Sequence, residues 1–443
     1  LAEYSVPAIV GMIVNSIYNI VDRIFIGNSS DLGTLGLAGI TIGFPIMIIL
    51  LSIGLLFGVG GATLFSIKLG EGQSEEADRA LGNAFSLMVI AGALFMIMGQ
   101  ILLRPLLTLF GASEAVLPYS MEYMRVIFFG AIFQVIGMGM NNFIRADGSP
   151  RTAMLTMFLG AGINTLLDPL FIYVFKMGMT GAALATILAQ CISATWVVMY
   201  FIGKRSKHKL MRKYMKLKLN VVLTITSLGI PGFALQLANS LLNAILNKSL
   251  LIYGGDIAVS GMGIINSLQT IFYMPIIGIK QGVQPIISFN YGARKFDRVK
   301  EAVKLAVISA TVIVVFGYVI TRLFPRQIIS IFNRDPELME FGSYGMTAWF
   351  LCMPAVGFQI IASHFFQAIG KSKAAMFLTL TRQVIFLIPA LIIFPKFWGI
   401  SGLLHAAPFA DFFSALLTGI WFYYGIKNLE KYSIAAISSN SIK

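Results

Sequence analysis

The sequence predicts an all-α polytopic membrane protein: twelve transmembrane helices in two six-helix lobes, related by a pseudo-two-fold axis around a central cavity. Three observations carry this. Of 443 residues, 57% are hydrophobic and only 12% charged, with a mean hydropathy of +0.82. Ordinary soluble domains hold roughly 25% charged residues, so neither a soluble globule nor a disordered chain fits. Apolar stretches of the ~20 residues that cross a hydrocarbon layer of about 30 Å occur twelve times. The first six of them have counterparts in the last six at a nearly fixed offset. A transmembrane β-barrel is excluded by 15 prolines and almost no alternating strand pattern.

The first lobe, 1–203, carries spans near 5–27, 36–66, 80–103, 121–144, 152–175 and 179–202. Span one ends near Asn28. Span two contains Pro45 and runs on towards Gly70. Span four ends in Asn141-Asn142-Phe143-Ile144-Arg145-Ala146-Asp147-Gly148, which reads as a helix terminus and turn. Span five reaches Asp168-Pro169, and span six follows the turn at Gly178. A basic linker, 204–220, comes next with Lys204, Arg205, Lys207, Lys209, Arg212, Lys213, Lys216 and Lys218. The second lobe, 221–427, carries spans near 221–253, 257–288, 300–323, 338–369, 374–395 and 399–426, and 428–443 forms a cytoplasmic tail. Several spans are longer than a straight crossing needs, so tilt, protruding ends or kinks at Pro45, Pro231, Pro275, Pro285 and Pro354 are expected.

A net charge of +14 suggests nucleic acid in a soluble chain, but in a membrane protein the positive-inside bias accounts for it. With both termini and the linker in the cytoplasm, inner segments hold 22 Lys/Arg and outer loops six. No nucleic-acid partner is expected. Cys191 and Cys352 sit in apolar runs and read as small hydrophobes, not a disulfide. No cleavable signal is expected ahead of span one, and a start at Leu1 implies missing N-terminal residues.

The halves repeat. Ser66-Ile-Lys-Leu-Gly70 meets Ser288-Phe-Asn-Tyr-Gly292 at an offset of 222, as Phe110 meets Phe332 and Gly148 meets Gly370. Gly178-Met-Thr-Gly-Ala182 meets Gly399-Ile-Ser-Gly-Leu403 at 221. Six helices per copy is an even number, so both copies insert the same way, as parallel repeats flanking a central cavity.

Ionisable groups inside spans are costly, and only Asp22, Asp168 and Asp411 lie well inside the apolar stretches. Asn19, Tyr18 and Asn15 precede Asp22 by three, four and seven residues, which puts all of them on its helical face. Asn164 lies one turn before Asp168, and Thr186 lies about eight residues into span six. At about 1.5 Å per residue Asp22, Asp168 and Thr186 share a depth. Two carboxylates, an amide and a hydroxyl form a hard-oxygen site for a sodium ion or a proton; the same oxygens serve both. Desolvation and mutual repulsion raise carboxylate pKa values towards neutrality. The competing structural reading pairs Asp22 with Arg23 and makes Asp168 a cap before Pro169. The repeat argues against it, because the equivalent positions are Ala244, Ile385, Pro389 and Ala407.

In the second lobe Arg382 and Asp411 are placed to form a buried pair, structural or functional, and Lys280 lies in a glycine-lined stretch that could reach the cavity. His364 and His405 read as core residues, and no resident metal or cofactor is expected. No Walker loop, GxSxG, HExxH or catalytic triad spacing is present. The chain is therefore not read as an enzyme, and an ion gradient is left to supply the energy.

Ser5-Val-Pro7-Ala-Ile-Val-Gly11 with Asn15 and Tyr18-Asn-Ile-Val-Asp22 resembles span one of the MATE (multidrug and toxin extrusion) transporters. Gly282-Val-Gln-Pro285 through Asn290-Tyr-Gly-Ala293, Asn164 through Asp168-Pro169, and Gly181-Ala-Ala-Leu-Ala-Thr186 resemble spans eight, five and six. The acids of the first lobe are similar to those of the DinF-like and MepA-like bacterial branch. The resemblance implies a monomer in a bacterial plasma membrane that exports cationic, amphipathic drugs in exchange for inward protons or sodium. It implies cation or proton binding at Asp22, Asn164, Asp168 and Thr186, and bending of span one at Pro7. A lipid-linked oligosaccharide flippase of the same superfamily is the alternative. The five in-span Lys/Arg, scattered over five helices, weaken it.

Overall fold

The computed structural model describes residues 1–27, 33–110, 112–332 and 334–440; the side chains of 15–24, 26, 27, 33–35, 37, 256 and 430–440 lie outside that description. The chain is helical nearly throughout. In order come α1 (Ala2–Gly27), α2 (Gly33–Gly70), α3 (Ser74–Leu109), α4 (Leu117–Phe129), α5 (Ala131–Ala146), α6 (Pro150–Pro169) and α7 (Gly178–Ile202). Then follow α8 (Leu219–Gly292), α9 (Phe296–Leu323), α10 (Pro325–Phe332), α11 (Pro336–Trp349), α12 (Met353–Ala368), α13 (Ser372–Leu380) and α14 (Ile388–Asn440).

Twelve crossings account for the described helices once the breaks are read. The pair α4–α5 is one span bent by 57°, and α11–α12 is one span bent by 48°. Gly255 (φ +63°) and Gly399 (φ +57°) each break a continuous run in two, so α8 and α14 each contribute to two spans. Only glycine enters that region without a Cβ penalty. The bend between α11 and α12 lies just ahead of Pro354, as expected. The helical runs of α2 and α8 continue through Pro45, Pro231, Pro275 and Pro285, and the sharper bend falls at Gly130 instead, where a Cβ would meet Ile187 at 2.5 Å. The short α10 is an addition that hydropathy alone does not indicate.

Backbone dihedrals reproduce the repeat. Gly72 (φ +76°) and Arg294 (φ +55°) pair at the offset of 222, as do Gly148 (+89°) and Gly370 (+81°); Gly178 (+59°) and Gly399 pair at 221. Left-handed residues are rare outside tight turns, so three matched pairs mark the same turns used twice.

The chain packs as two compact units, Val6–Phe233, and Leu1–Ser5 with Ala234–Lys443. In the first, α2 packs on α3, α4 and α5, and α7 packs on α4, α5 and α6. Phe65, Leu81, Met88, Val135 and Phe143 are fully buried there. Lipid tails are as apolar as a leucine, so helices in a membrane associate through close packing. At Gly58 a Cβ would lie 2.5 Å from the Cα of Gly139, which shows how closely α2 and α5 approach. In the second unit, α12 packs on α9, α13 and α14.

The basic stretch after α7 is built into the first unit. Asn83 Nδ2 donates to the carbonyls of Tyr214 (2.9 Å) and Lys216 (3.3 Å), and its Oδ1 accepts from Lys218 N–H at 2.8 Å. Ser86 donates to Met215 O at 2.7 Å. Lys213 Nζ sits 4.3 Å from the centroid of the Tyr214 ring and the Arg205 guanidinium 4.9 Å from that of Trp196.

Candidate functional site

Three of the sequence-derived residues meet at one end of α6. Asp168 is wholly buried, one residue before Pro169, where α6 gives way to a π-helical turn over Leu170–Val174. Such turns insert an extra residue and re-aim side chains. Asn164 stands one turn earlier on the same face, and its Nδ2 donates to Asp168 Oδ1 at 3.3 Å and to Thr186 Oγ1 of α7 at 3.4 Å. Thr186 donates in turn to Ala182 O at 3.1 Å. Asn164 is 2% and Thr186 5% exposed, so the cluster is shielded from surrounding solvent and lipid.

Both amide hydrogen bonds are long compared with the usual 2.7–3.2 Å, and among the described residues Asn164 Oδ1 is buried without a hydrogen-bond partner. A buried carbonyl oxygen left unsatisfied costs free energy unless something fills it. A cation fits: carboxylate, amide carbonyl and hydroxyl oxygens are the ligands a hard ion takes. A proton fits as well. With the amide turned over, Asn164 would accept from a protonated Asp168, where now it donates to the carboxylate.

The remaining sequence-derived residues of this site lie on α1. The side chains of Asn15, Tyr18, Asn19 and Asp22 lie outside the described residues. The backbone of α1 is tied to the same end of the unit: Tyr173 OH in the π turn donates to Phe25 O at 2.6 Å, with the two rings 6.2 Å apart. Pro7 is buried near the start of α1, and the boundary between the two units falls between Ser5 and Val6, just ahead of it. Glu122 has a structural task. Its Oε1 accepts from Thr180 N–H (3.0 Å) and Oγ1 (2.8 Å), capping the start of α7.

In the second unit the in-span acid Asp411 is neutralised. Arg382 Nε donates to Asp411 Oδ1 at 2.6 Å, both residues being buried. Arg382 lies in a second π turn, Thr381–Leu387, and the adjacent Gln383 donates to Asn239 Oδ1 at 2.8 Å. Lys280 takes no part in this pair. Among the described residues no group of three or more His, Cys, Asp or Glu is placed to hold a metal ion.

From the sequence, Asp147 reads as part of a plain helix-terminal turn. The structure shows it as the hub of a network at the linker end of the first unit. Its Oδ2 accepts from Tyr200 OH (2.7 Å) and Ser206 Oγ (2.6 Å), and His208 Nδ1 lies 2.9 Å from Asp78 Oδ1. Burial pushes the Asp147 carboxyl above its ordinary value, against the pull of the Ser206 and Tyr200 hydroxyls and of His208. Asp78, Gly82 and Ser86 recur at every fourth position on α3, a polar and small-residue face that signals a covering segment.

Known proteins resemble this chain over nearly its whole length. The MatE family model matches residues 7–170 and 231–392. Multidrug export protein MepA of Staphylococcus haemolyticus is 24% identical over 428 residues, covering 97% of this chain and 93% of the relative. MepA of Staphylococcus aureus (strain MSSA476) is 26% identical, with 94% and 91% covered. Among solved structures, that of the MATE multidrug transporter DinF-BH is 37% identical, with a TM-score of 0.89 and 95% and 94% of the two chains covered. A MATE crystal structure in the bent conformation superposes with a TM-score of 0.92 at 24% identity, covering 98% and 96%.

Proposed function

The chain belongs to the MATE family of multidrug transporters, a family of multi-pass membrane proteins and not enzymes, and from that premise we propose that it is a secondary antiporter. In this reading it exports cationic, amphipathic drugs in exchange for inward protons or sodium. The observation that supports the coupling is the buried Asn164–Asp168–Thr186 cluster, whose amide carbonyl has no partner among the described residues and whose counterparts in the other half are Ile385, Pro389 and Ala407. A packing requirement of a duplicated fold would be met similarly in both halves; a task performed once needs only one copy.

Asp168, with Asp22 of α1, takes the ion; Asn164 and Thr186 supply neutral oxygens. Asn15, Tyr18 and Asn19 support the same polar face. A carboxylate that attracts the drug cation when ionised loses that attraction once a proton or sodium ion occupies it, so the two ligands exclude each other and exchange. Bending of α1 at Pro7 moves the polar face between its two settings. The basic 204–220 stretch and both termini face the cytoplasm, following the charge bias. Purified protein in proteoliposomes, loaded with ethidium and given first a pH gradient and then a sodium gradient, tests this. Efflux is expected under at least one gradient and is expected to vanish in Asp168→Asn. Gradient-driven efflux at the parental rate in that variant would overturn the assignment.

A further inference from the structure

Among the described residues, Lys280 is a cation with no carboxylate joined to it. It lies twelve residues before the end of α8, about 18 Å along the helix at ~1.5 Å per residue. Buried Ile276, Ile279 and Val283 surround it in sequence. From that depth a lysine cannot snorkel to a helix end. The residue is half-buried, and among the described residues it makes no ion pair. The in-span acid of its unit, Asp411, is held by Arg382 at 2.6 Å.

Ser288 of α8 donates to Ala368 O of α12 at 2.8 Å, which sets the two helices side by side. Lys280 stands about two turns before Ser288, and His364, 4% exposed and within reach of its charge, one turn before Ala368. The ring's Nδ1 lies 3.0 Å from Gln367 Oε1, while Nε2 is buried with no hydrogen-bond partner among the described residues. If Nδ1–H donates to Gln367, Nε2 is an acceptor; with the amide turned over, Nδ1 accepts and Nε2–H is a donor. The second setting places a neutral donor near an ammonium, in a unit whose described residues offer neither of them a carboxylate.

The repeat shows that packing does not require this arrangement. At an offset of 222, Lys280 corresponds to Gly58 and Ile361 to Gly139. The first unit closes that position backbone to backbone, whereas the second carries a charged residue there. An ionisable group that deep marks a candidate site, and the partner that complements an ammonium is an anion.

We propose that Lys280 and His364 form a binding site for an oxyanion, a carboxylate or phosphate carried by an amphiphilic ligand. The ammonium of Lys280 supplies the charge, and Nε2 of His364 a directional hydrogen bond. Resting on the export function proposed above, it places recognition of a ligand's acidic group in the second unit, at these two residues.

The test is binding, read separately from transport. A rhodamine dye with a free carboxylate and its ethyl ester share one cation and differ only in the acid. Fluorescence polarisation of each dye with the purified full-length chain, in phosphatidylcholine nanodiscs, is compared for the parent, Lys280→Gln and Lys280→Arg. Lys280→Gln is expected to weaken the carboxylate dye about tenfold and to leave the ester unchanged, with Lys280→Arg restoring most of the loss. Equal weakening of both dyes, or of neither, overturns the site. Adding phosphatidylglycerol separates the two sources of the group. Loss of carboxylate-dye affinity in the parent but not in Lys280→Gln assigns the site to a lipid phosphate, and no loss in the parent assigns it to the transported molecule. Ester-dye efflux by the parent in proteoliposomes reads the export function independently, so its absence would overturn that function without touching the binding result.

Discussion

Ser206 Oγ lies 2.6 Å from Asp147 Oδ2, so the basic stretch after α7 reaches back to cap the turn between α5 and α6. Because Asp147 is half-buried, its carboxyl titrates above the ordinary 3.8. The sign follows from proton linkage. Between the unfolded and the raised native value, the folded protein binds more protons than the unfolded chain, so stability falls as pH rises through that window. Above it a constant penalty remains. Asp147→Asn keeps an acceptor for both hydroxyls and removes the charge. In detergent its melting midpoint is expected to exceed the parent's at neutral pH, and the parent's fall across the weakly acidic range is expected to flatten. A parent midpoint that instead rises with pH across that range would contradict the burial argument.

Losing Ser206 tests the same contact from the other side. Ser206→Ala strips a buried carboxylate of a donor, a change that costs about 1–3 kcal/mol. It is expected to lower the melting midpoint and to speed proteolysis within 204–218, because the stretch is pinned here and at Asn83. Unchanged cleavage there would show that Asn83 and Ser86 hold the segment alone.

At the acidic cluster the two neutral partners are expected to behave differently from the acid. Asp168→Asn removes the exchangeable charge and should abolish coupled ethidium efflux. Asn164→Ala removes one oxygen and the donor that orients Asp168, and tenfold weaker apparent affinity for the coupling ion is expected, corresponding to about 1.4 kcal/mol. The half-saturating ion concentration for efflux, measured in proteoliposomes, separates these outcomes. If Asn164→Ala changed the maximal rate and left that concentration untouched, its place among the ion's ligands would be lost.

Twelve crossings, the two-fold repeat and the Asn164–Asp168–Thr186 grouping are all legible in the sequence, because they rest on hydropathy over the length of one span, a fixed offset, the one-turn spacing of Asn164 and Asp168, and the shared depth of Thr186 on the next span. Gly130 is not legible as a bend, since its role comes from Ile187 on another helix, which no local pattern reports. Asp147 escapes notice for a like reason. Its partners Tyr200 and Ser206 stand far along the chain, on the next helix but one and beyond it, and an acid in an exposed-looking turn carries no mark of burial. Lys280 stands out as a charge within an apolar run, but that its neighbour is a histidine with an unsatisfied nitrogen needs α8 and α12 side by side.

The contact of α2 with α5 sets a steric limit that can be probed. A Cβ at Gly58 would lie 2.5 Å from Gly139 Cα and 2.8 Å from its carbonyl oxygen, atoms of backbone that no rotamer change can move. Gly58→Val is expected to destabilise the first unit by about 1–3 kcal/mol or more through overpacking, whereas Gly162→Ala, where a Cβ meets nothing within 4 Å, is expected to be tolerated. Melting curves of the two variants in one detergent make the comparison, and equal midpoints would argue against so close an approach.

Arg382 and Asp411 give the sharpest test of what a buried ion pair does in the second unit. The two are joined at 2.6 Å with 7% and 3% of their surfaces exposed. Removing one partner strands a charge, which costs about 3–5 kcal/mol, while replacing both by apolar residues of similar size is often neutral or stabilising. Arg382→Met and Asp411→Leu singly are therefore expected to lower the melting midpoint sharply, and the double variant to recover most of the loss. Ethidium efflux by the double variant then decides between structure and function. Parental efflux assigns the pair to holding the π turn of Thr381–Leu387 against α14. A stable double variant that no longer transports would show that the charges themselves serve the transport cycle.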